Sequence, residues 1–193
     1  MGAALMRYMV GVSSAEIVAA ILCILFPDAR TALDLTPGRG CFWSEAVPTG
    51  VAVHFSEHDF TALPYADDSV DIALFDPPHL ADAGQRSIMR QRFGTYPSGD
   101  LESAVRAGCR EAQRVARIGT VVKVCDHVHE QRLQYMSGWV VAELGTPYEL
   151  VHQVRARSLV DPKWHEPQLS ARNNGATYFV HRNGDQRHSR RAA

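Results

Sequence analysis

Asp76-Pro77-Pro78-His79 is the stretch of this chain best suited to chemistry. It follows Val70-Asp71-Ile72-Ala73-Leu74-Phe75, a short apolar run that reads as a buried strand. An amine on an aromatic ring is a poor nucleophile, because its lone pair is delocalised into the ring. A carboxylate and a backbone carbonyl that each accept one of its N–H bonds favour a more tetrahedral nitrogen and aim the lone pair. Asp76 supplies the carboxylate. Pro77 and Pro78 stiffen the backbone carrying the carbonyl and add no competing N–H donor. Asp-Pro also starts ordinary turns; the strand before it favours a site over a turn.

Asp34-Leu35-Thr36-Pro37-Gly38-Arg39-Gly40 forms a second such strand end, after Thr31-Ala32-Leu33. Gly38 and Gly40 allow positive φ and remove side chains where a ligand must approach the backbone. A lone G-x-G is weak evidence, since any tight strand-to-helix turn can carry one. In open α/β sheets, ligands lie beyond the carboxyl ends of the strands. That rule puts Asp34, Thr36, Gly38, Gly40 and Asp76 in one cleft despite their separation in sequence.

In this order and spacing the two motifs resemble those of the S-adenosylmethionine (SAM) dependent DNA amino-methyltransferases, of the N6-adenine and N4-cytosine type. The likeness runs from about Thr31 to Cys125. It returns more loosely at Gln168-Leu169-Ser170-Ala171-Arg172-Asn173-Asn174 and Ala176-Thr177-Tyr178-Phe179-Val180, which look like the closing loop and strand of small phage and actinobacterial members. The resemblance implies a class I methyltransferase fold with SAM as cofactor and no metal. It puts Asp34, Thr36, Gly38 and Gly40 on the cofactor motif, and Asp76, Pro77, Pro78 and His79 on the catalytic one, with Asp76 also facing the cofactor. In Asp59-Phe60-Thr61-Ala62-Leu63-Pro64-Tyr65, the Asp59 carboxylate would take the cofactor's adenine N6 and the Phe60 backbone N–H its N1. Glu57 is the nearest acid for the ribose hydroxyls. A plain surface glutamate is the other reading, because there is room for only one strand between Trp43 and Asp59. The family usually has Tyr, Phe or Trp after Asp-Pro-Pro. This chain has His79, which can stack on a base, though more weakly than tyrosine.

The expected activity is methylation of an exocyclic amine of a nucleobase, adenine N6 in DNA first, with the target flipped out of its stack. RNA, a protein glutamine or a small amine are alternative substrates. A catalytically inactive SAM-binding module that meets nucleic acid or protein is the reading from another class. Recognition would come from loops 80–99 and 159–174, from the partner in a homodimer, or hardly at all. Arg86, Arg90 and Arg92 in the first loop could track a phosphate backbone. Arg172, Asn173 and Asn174 in the second could meet a phosphate or a base edge. A solvated loop and a polar turn are the respective alternatives.

Charge agrees with such a division. The net charge is −1, but residues 1–100 carry 6 basic and 12 acidic side chains, and residues 101–193 carry 14 and 9. An acidic half holding a cationic cofactor and a basic half meeting a polyanion would have this form. The four cysteines show no metal-ligand spacing, and a reducing cytoplasmic compartment is the default. The apolar stretch from Ser14 to Phe26 contains Glu16 and is too short to span a bilayer. His54, His58, His127 and His129 fall on separate elements and read as structural or surface histidines.

The elements that must position these residues follow from periodicity. Ser13 or Ser14 caps a helix whose face is Ile17, Val18, Ile21, Leu22 and Leu25. Strands are expected at Thr31 to Leu35, Val51 to Phe55, Val70 to Phe75, Thr120 to Cys125, Trp139 to Leu144, Leu150 to Val154 and Ala176 to His181. Helices are expected at Cys41 to Ala46, Asp100 to Arg117 and Val128 to Ser137. The alternation predicts an α/β fold: a doubly wound, Rossmann-like sheet, mostly parallel, with an antiparallel strand near the C terminus. A single domain over 1–184 and a basic, flexible tail over 185–193 complete the expectation.

Overall fold

Ser13 opens the first helix with a reciprocal capping box. Its hydroxyl accepts the Glu16 N–H at 3.2 Å, and the Glu16 carboxylate accepts the Ser13 N–H at 2.9 Å. The computed structural model describes residues 7–38, 40, 42–43, 50–79, 100–129, 132–154 and 175–183. In chain order these form β1 (Tyr8–Val10), α1 (Ser14–Leu25), β2 (Thr31–Asp34), β3 (Ala52–Phe55), β4 (Val70–Phe75), α2 (Leu101–Val115), β5 (Ala116–Val124), β6 (His127–His129), β7 (Arg132–Gln134), α3 (Met136–Leu144), β8 (Glu149–Val154) and β9 (Gly175–Arg182).

Seven strands make one sheet in the order β1-β8-β9-β5-β4-β2-β3. Every pairing is parallel except those of β9, which runs antiparallel to both β5 and β8. The expected antiparallel strand near the C terminus is therefore present. From β2 the chain steps outward to β3, then crosses back to β4 on the other side of β2. This reversal creates a crevice beyond the carboxyl ends of β2 and β4.

Both faces of the sheet are covered, which explains why its strands read as nearly unbroken apolar runs. Ala32, Ile72, Leu74 and Val121 pack with Ile17, Val18, Ile21 and Leu22 of α1. Leu33, Ala73, Phe75 and Val122 face the other way, toward Val105, Cys109 and Ala112 of α2 and Met136, Val140 and Leu144 of α3. The pleat alternates the two sets along each strand. Gly108 of α2 matters here, because a Cβ at that position would collide with the rings of Phe75 and Phe60. Its absence lets Phe75 seat deeply, one residue before Asp76.

Three expectations need correction. The segment from Val128 to Ser137 is not a helix, and Trp139 to Leu144 is not a strand. The chain instead forms the β6–β7 hairpin, then α3. Met136, Val140 and Leu144 are the buried positions, spaced for a helix. Asp126 accepts the Ser137 N–H at 2.8 Å and so caps α3 from across the hairpin. Gly138 lies inside this helix rather than ending it, at a position where a Cβ would strike the Tyr135 ring. Gly145, at φ 78°, closes the helix. Second, β1 joins the sheet where the sequence shows no strand signal. Third, α2 stops at Val115 and β5 starts at Ala116, earlier than expected. Most of the short helix expected at Cys41 to Ala46 falls outside the described residues. Phe42 and Trp43 lie in a turn.

Candidate active site

Asp34 ends β2, and Asp76 follows directly on β4. Parallel pairing sets Asp34 opposite Leu74 and Phe75 opposite Val122, so Asp34, Asp76 and Lys123 occupy three adjacent strand ends. Thr36 ties the first two together. Its hydroxyl accepts the Asp76 backbone N–H at 2.9 Å, and its own N–H donates to Asp34 Oδ1 at 3.0 Å.

Asp34 is 1% exposed. Its other oxygen, Oδ2, accepts the Trp43 indole N–H at 2.9 Å. Burial pushes its pKa up to about 6. The bonds from Trp43 and Thr36 oppose that rise, the Asp76 charge adds to it and Lys123 offsets it. Beyond it the chain turns through Gly38 at φ 49° and Gly40 at φ 75°, with the Gly40 N–H on the Pro37 carbonyl at 2.7 Å. Nothing described lies within 4 Å of where a Gly40 Cβ would stand, so the turn presents bare backbone to open space.

Asp76 is half-buried. Its Oδ2 accepts from Lys123 Nζ at 2.7 Å. Its Oδ1 is buried without a hydrogen-bond partner among the described residues, with His79 Nε2 3.6 Å away. The His79 ring meets the His127 ring edge-on, centroids 6.4 Å apart. His127 Nδ1 lies 3.1 Å from the Cys125 carbonyl, and its Nε2 is buried with no partner among the described residues. Pro77 is buried and Pro78 partly so.

The remaining predicted contacts sit further out. Glu57 and Asp59 are exposed and follow the end of β3, next to β2. Asp59 Oδ1 accepts the Thr61 N–H at 2.9 Å and its hydroxyl at 2.8 Å, which fixes a tight local turn. The Phe60 ring packs on Phe75, centroids 5.1 Å apart, so Phe60 contributes its ring to the core. Arg86, Arg90, Arg92, Arg172, Asn173 and Asn174 lie outside the described residues, as does the tail over 185–193.

Two further residues join the cleft without having been among the expected ones. Lys123 is 5% exposed in the run Thr120-Val121-Val122-Lys123-Val124. A lone charge in a buried strand is a signal in itself, because lysine is almost never buried unless paired. His127 is the second: it reads in the sequence as structural or surface, yet it stands beside His79. Its place depends on the β6–β7 hairpin, which sequence spacing does not reveal.

Among the described residues no group of His, Cys, Asp and Glu side chains could hold a metal ion, and no helix is long and apolar enough to cross a membrane. No protein-family model and no curated protein matches the chain. Among solved structures it is similar to the cyclase SpnF, with 14% identity, 72% of this chain and 59% of that one covered, and a TM-score of 0.44. It is similar to a SAM-dependent methyltransferase of Thermotoga maritima, with 15% identity, 89% and 87% covered, and a TM-score of 0.42. It is also similar to the 1,6-didemethyltoxoflavin-N1-methyltransferase of Burkholderia thailandensis, a structure holding S-adenosylhomocysteine, with 14% identity, 88% and 77% covered, and a TM-score of 0.42. These overlaps are partial, and a functional reading rests on the residues of the cleft.

Proposed function

We propose that the cleft binds SAM and that the chain methylates an exocyclic amine of a nucleobase, adenine N6 in DNA before cytosine N4 or RNA. One observation carries the reading. Two carboxylates stand at adjacent strand ends, one buried beside a bare glycine turn and the other with an oxygen left for a ligand.

The donor set fits such a cofactor. Asp34 is an acid whose burial disfavours its charge, and a cation placed beside it would favour the charged form and pair with it. Gly38 and Gly40 leave room for close approach. Glu57 and Asp59, just past the end of β3, are proposed for ribose and adenine, with Phe60 offering backbone rather than ring. When bound, the cofactor supplies a sulfonium methyl group, an electrophile that needs a well-aimed nucleophile.

The chain's own residues do the aiming. Asp76 Oδ1 and the Pro77 carbonyl accept the two N–H bonds of the target amine. The lone pair of the target nitrogen would then take the methyl group, the cofactor would leave as a neutral thioether that keeps the S–C electron pair, and one N–H proton would go to solvent. His79 supplies a flat face for the base. Arg86, Arg90, Arg92, Arg172, Asn173 and Asn174 are proposed contacts for phosphate and base edges.

Mass spectrometry of nucleosides tests the reading. DNA and RNA are incubated with the protein and isotope-labelled SAM, then digested. Labelled N6-methyladenine from DNA is the expected product. Label confined to N4-methylcytosine or to RNA narrows the substrate. No labelled nucleoside from either polymer would overturn the nucleobase reading.

A further inference from the structure

Lys123 holds a position that stability alone does not explain. A buried ion pair is weak evidence for stability, because desolvating two charges offsets most of their attraction. An apolar side chain would suit the run Val121-Val122-Lys123-Val124 at least as well. What the pair changes is the cleft. Lys123 Nζ takes Asp76 Oδ2 at 2.7 Å and leaves Oδ1 as a buried acceptor without a hydrogen-bond partner among the described residues, His79 Nε2 standing 3.6 Å away. It also offsets the Asp76 charge at the point where a target nitrogen would sit. The ammonium group is 5.2 Å from the Phe42 ring centroid, which favours a cation there as well.

The other titratable groups around the pair are Asp34 from β2, His79 from the end of β4 and His127 from β6. On the reading above Asp34 answers the charge of the cofactor. Lys123 and Asp76 then form a closed pair, and the acceptor subsite carries no net charge.

We propose that Lys123 is a positioning residue that turns Asp76 into an acceptor for a neutral amine. The cleft thereby admits acceptors whose nitrogen keeps its lone pair near neutral pH, such as aromatic amines, and rejects alkylammonium groups. An alkylammonium has N–H donors in abundance but no lone pair to alkylate. An unbalanced carboxylate would bind it and block the site. The substrate half of this proposal rests on the methyl-transfer reading; the charge-selection half does not.

The test uses the full chain with Lys123→Met, Lys123→Arg and the double variant Asp76→Asn/Lys123→Met. Calorimetry measures the affinity of each for SAM and for spermidine, and initial rates are taken on an adenine-containing oligonucleotide. Lys123→Met should lower kcat by about 100-fold, because the Asp76 acceptor loses its orientation and the loss falls on the transition state. Its SAM affinity should stay within a few-fold, and Lys123→Arg should recover most of the rate. Spermidine should bind Lys123→Met about tenfold more tightly than the parent, and this gain should vanish in the double variant, which has no charge at either position. The double variant also serves where Lys123→Met fails to fold: spermidine affinity above the parent's would then count against the proposal. Unchanged kcat in folded Lys123→Met would overturn the positioning role. No gain in spermidine affinity, or a gain that persists in the double variant, would overturn charge selection. If the parent chain methylates no nucleobase, the methyl-transfer reading fails, while the spermidine measurements still decide the role of Lys123.

Discussion

Strand β4 carries an aspartate at each end, and the two are provided for in opposite ways. Asp71, near its start, is 3% exposed and fully engaged. It accepts the Arg30 N–H at 2.7 Å, the Thr31 N–H at 3.1 Å and the Arg117 guanidinium. Its own N–H is bonded by the Thr31 hydroxyl at 2.9 Å. Burial alone would raise its pKa, but the donors outweigh it and the net shift is downward. Asp76, just past the other end, has one oxygen held by Lys123 and the other buried without a hydrogen-bond partner among the described residues. Its neighbour Asp34 is a carboxylate whose charge burial disfavours. A saturated acid staples strands together. An acid left short of donors costs stability and waits for a ligand.

The contrast is broken most directly by removing each acid. Asp76→Ala should lower kcat for methyl transfer by about a thousandfold or more, while SAM affinity stays within a few-fold, because the interaction matters mainly in the transition state. Steady-state kinetics beside calorimetry check it, and wild-type turnover in the mutant would reduce Asp-Pro-Pro to a turn. Asp71→Ala should do the reverse. It leaves the Arg30 and Thr31 backbone donors without their acceptor, while the exposed Arg117 guanidinium returns to water, and should cost ~1–3 kcal/mol of stability in denaturant unfolding. The kcat of the fraction that remains folded should be unchanged.

Asp34 sharpens the comparison, since its charge costs the empty protein stability. Its folded pKa of about 6 lies above the ordinary carboxylate value of 3.8. The stability it contributes is therefore complete below pH 3.8 and is lost as pH rises through about 6. Asp34→Asn removes the charge, keeps an oxygen for only one of Trp43 and Thr36, and turns its NH2 toward the other donor. The fall of about 3 kcal/mol in the parent's stability as pH rises past 6 should be absent from this variant, whose SAM binding should weaken at least ~tenfold. A stability curve that falls above pH 6 in Asp34→Asn as it does in the parent would mean that the carboxylate is well solvated. His181 on β9 supplies the opposite pH window. Both its ring nitrogens are buried without a partner among the described residues, and burial pushes its pKa down to about 4. Its contribution is present above pH 6.5 and is lost as pH falls toward 4. In His181→Phe the acid limb of the stability curve should flatten by about 3 kcal/mol.

Much of this was legible because it is local. The Ser13–Glu16 box, the Asp100 cap of α2 and the apolar runs of β2 and β4 depend on residues within a few positions of each other. The strand ends then followed, and with them the meeting of Asp34 and Asp76. What was not legible depends on distant pairing. Strand β1 is three residues long with Tyr8 and Val10 exposed, and it exists only because β8 lies alongside. Helix α3 takes its cap from Asp126 across a hairpin. Lys123 stands out as a charge in an apolar strand, but its partner follows only from the β4–β5 register, which sets Phe75 against Val122.

The smallest expected effect concerns His79, where the two ends of β4 differ in a further way: Asp71 is closed off by its own donors, whereas His79 can cover a ligand at Asp76. If its aromatic face is what matters, His79→Phe and His79→Tyr should keep or raise kcat/KM. His79→Ala should lower it by ~10- to 100-fold, the worth of one stacked base. The observed contacts allow a rival role. Nε2 lies 3.6 Å from Asp76 Oδ1, and the His127 ring stands beside it, so His79 is also within reach to take the proton that leaves the amine. The nitrogen sheds that proton readily once it is cationic, so methyl transfer needs no strong base. A pH–rate profile separates the two. Under stacking, the His79→Phe profile keeps the shape of the parent's. If it loses its acid limb and most of kcat together, His79 acts through its nitrogen, and Asp76 Oδ1 serves a proton path as well as an amine.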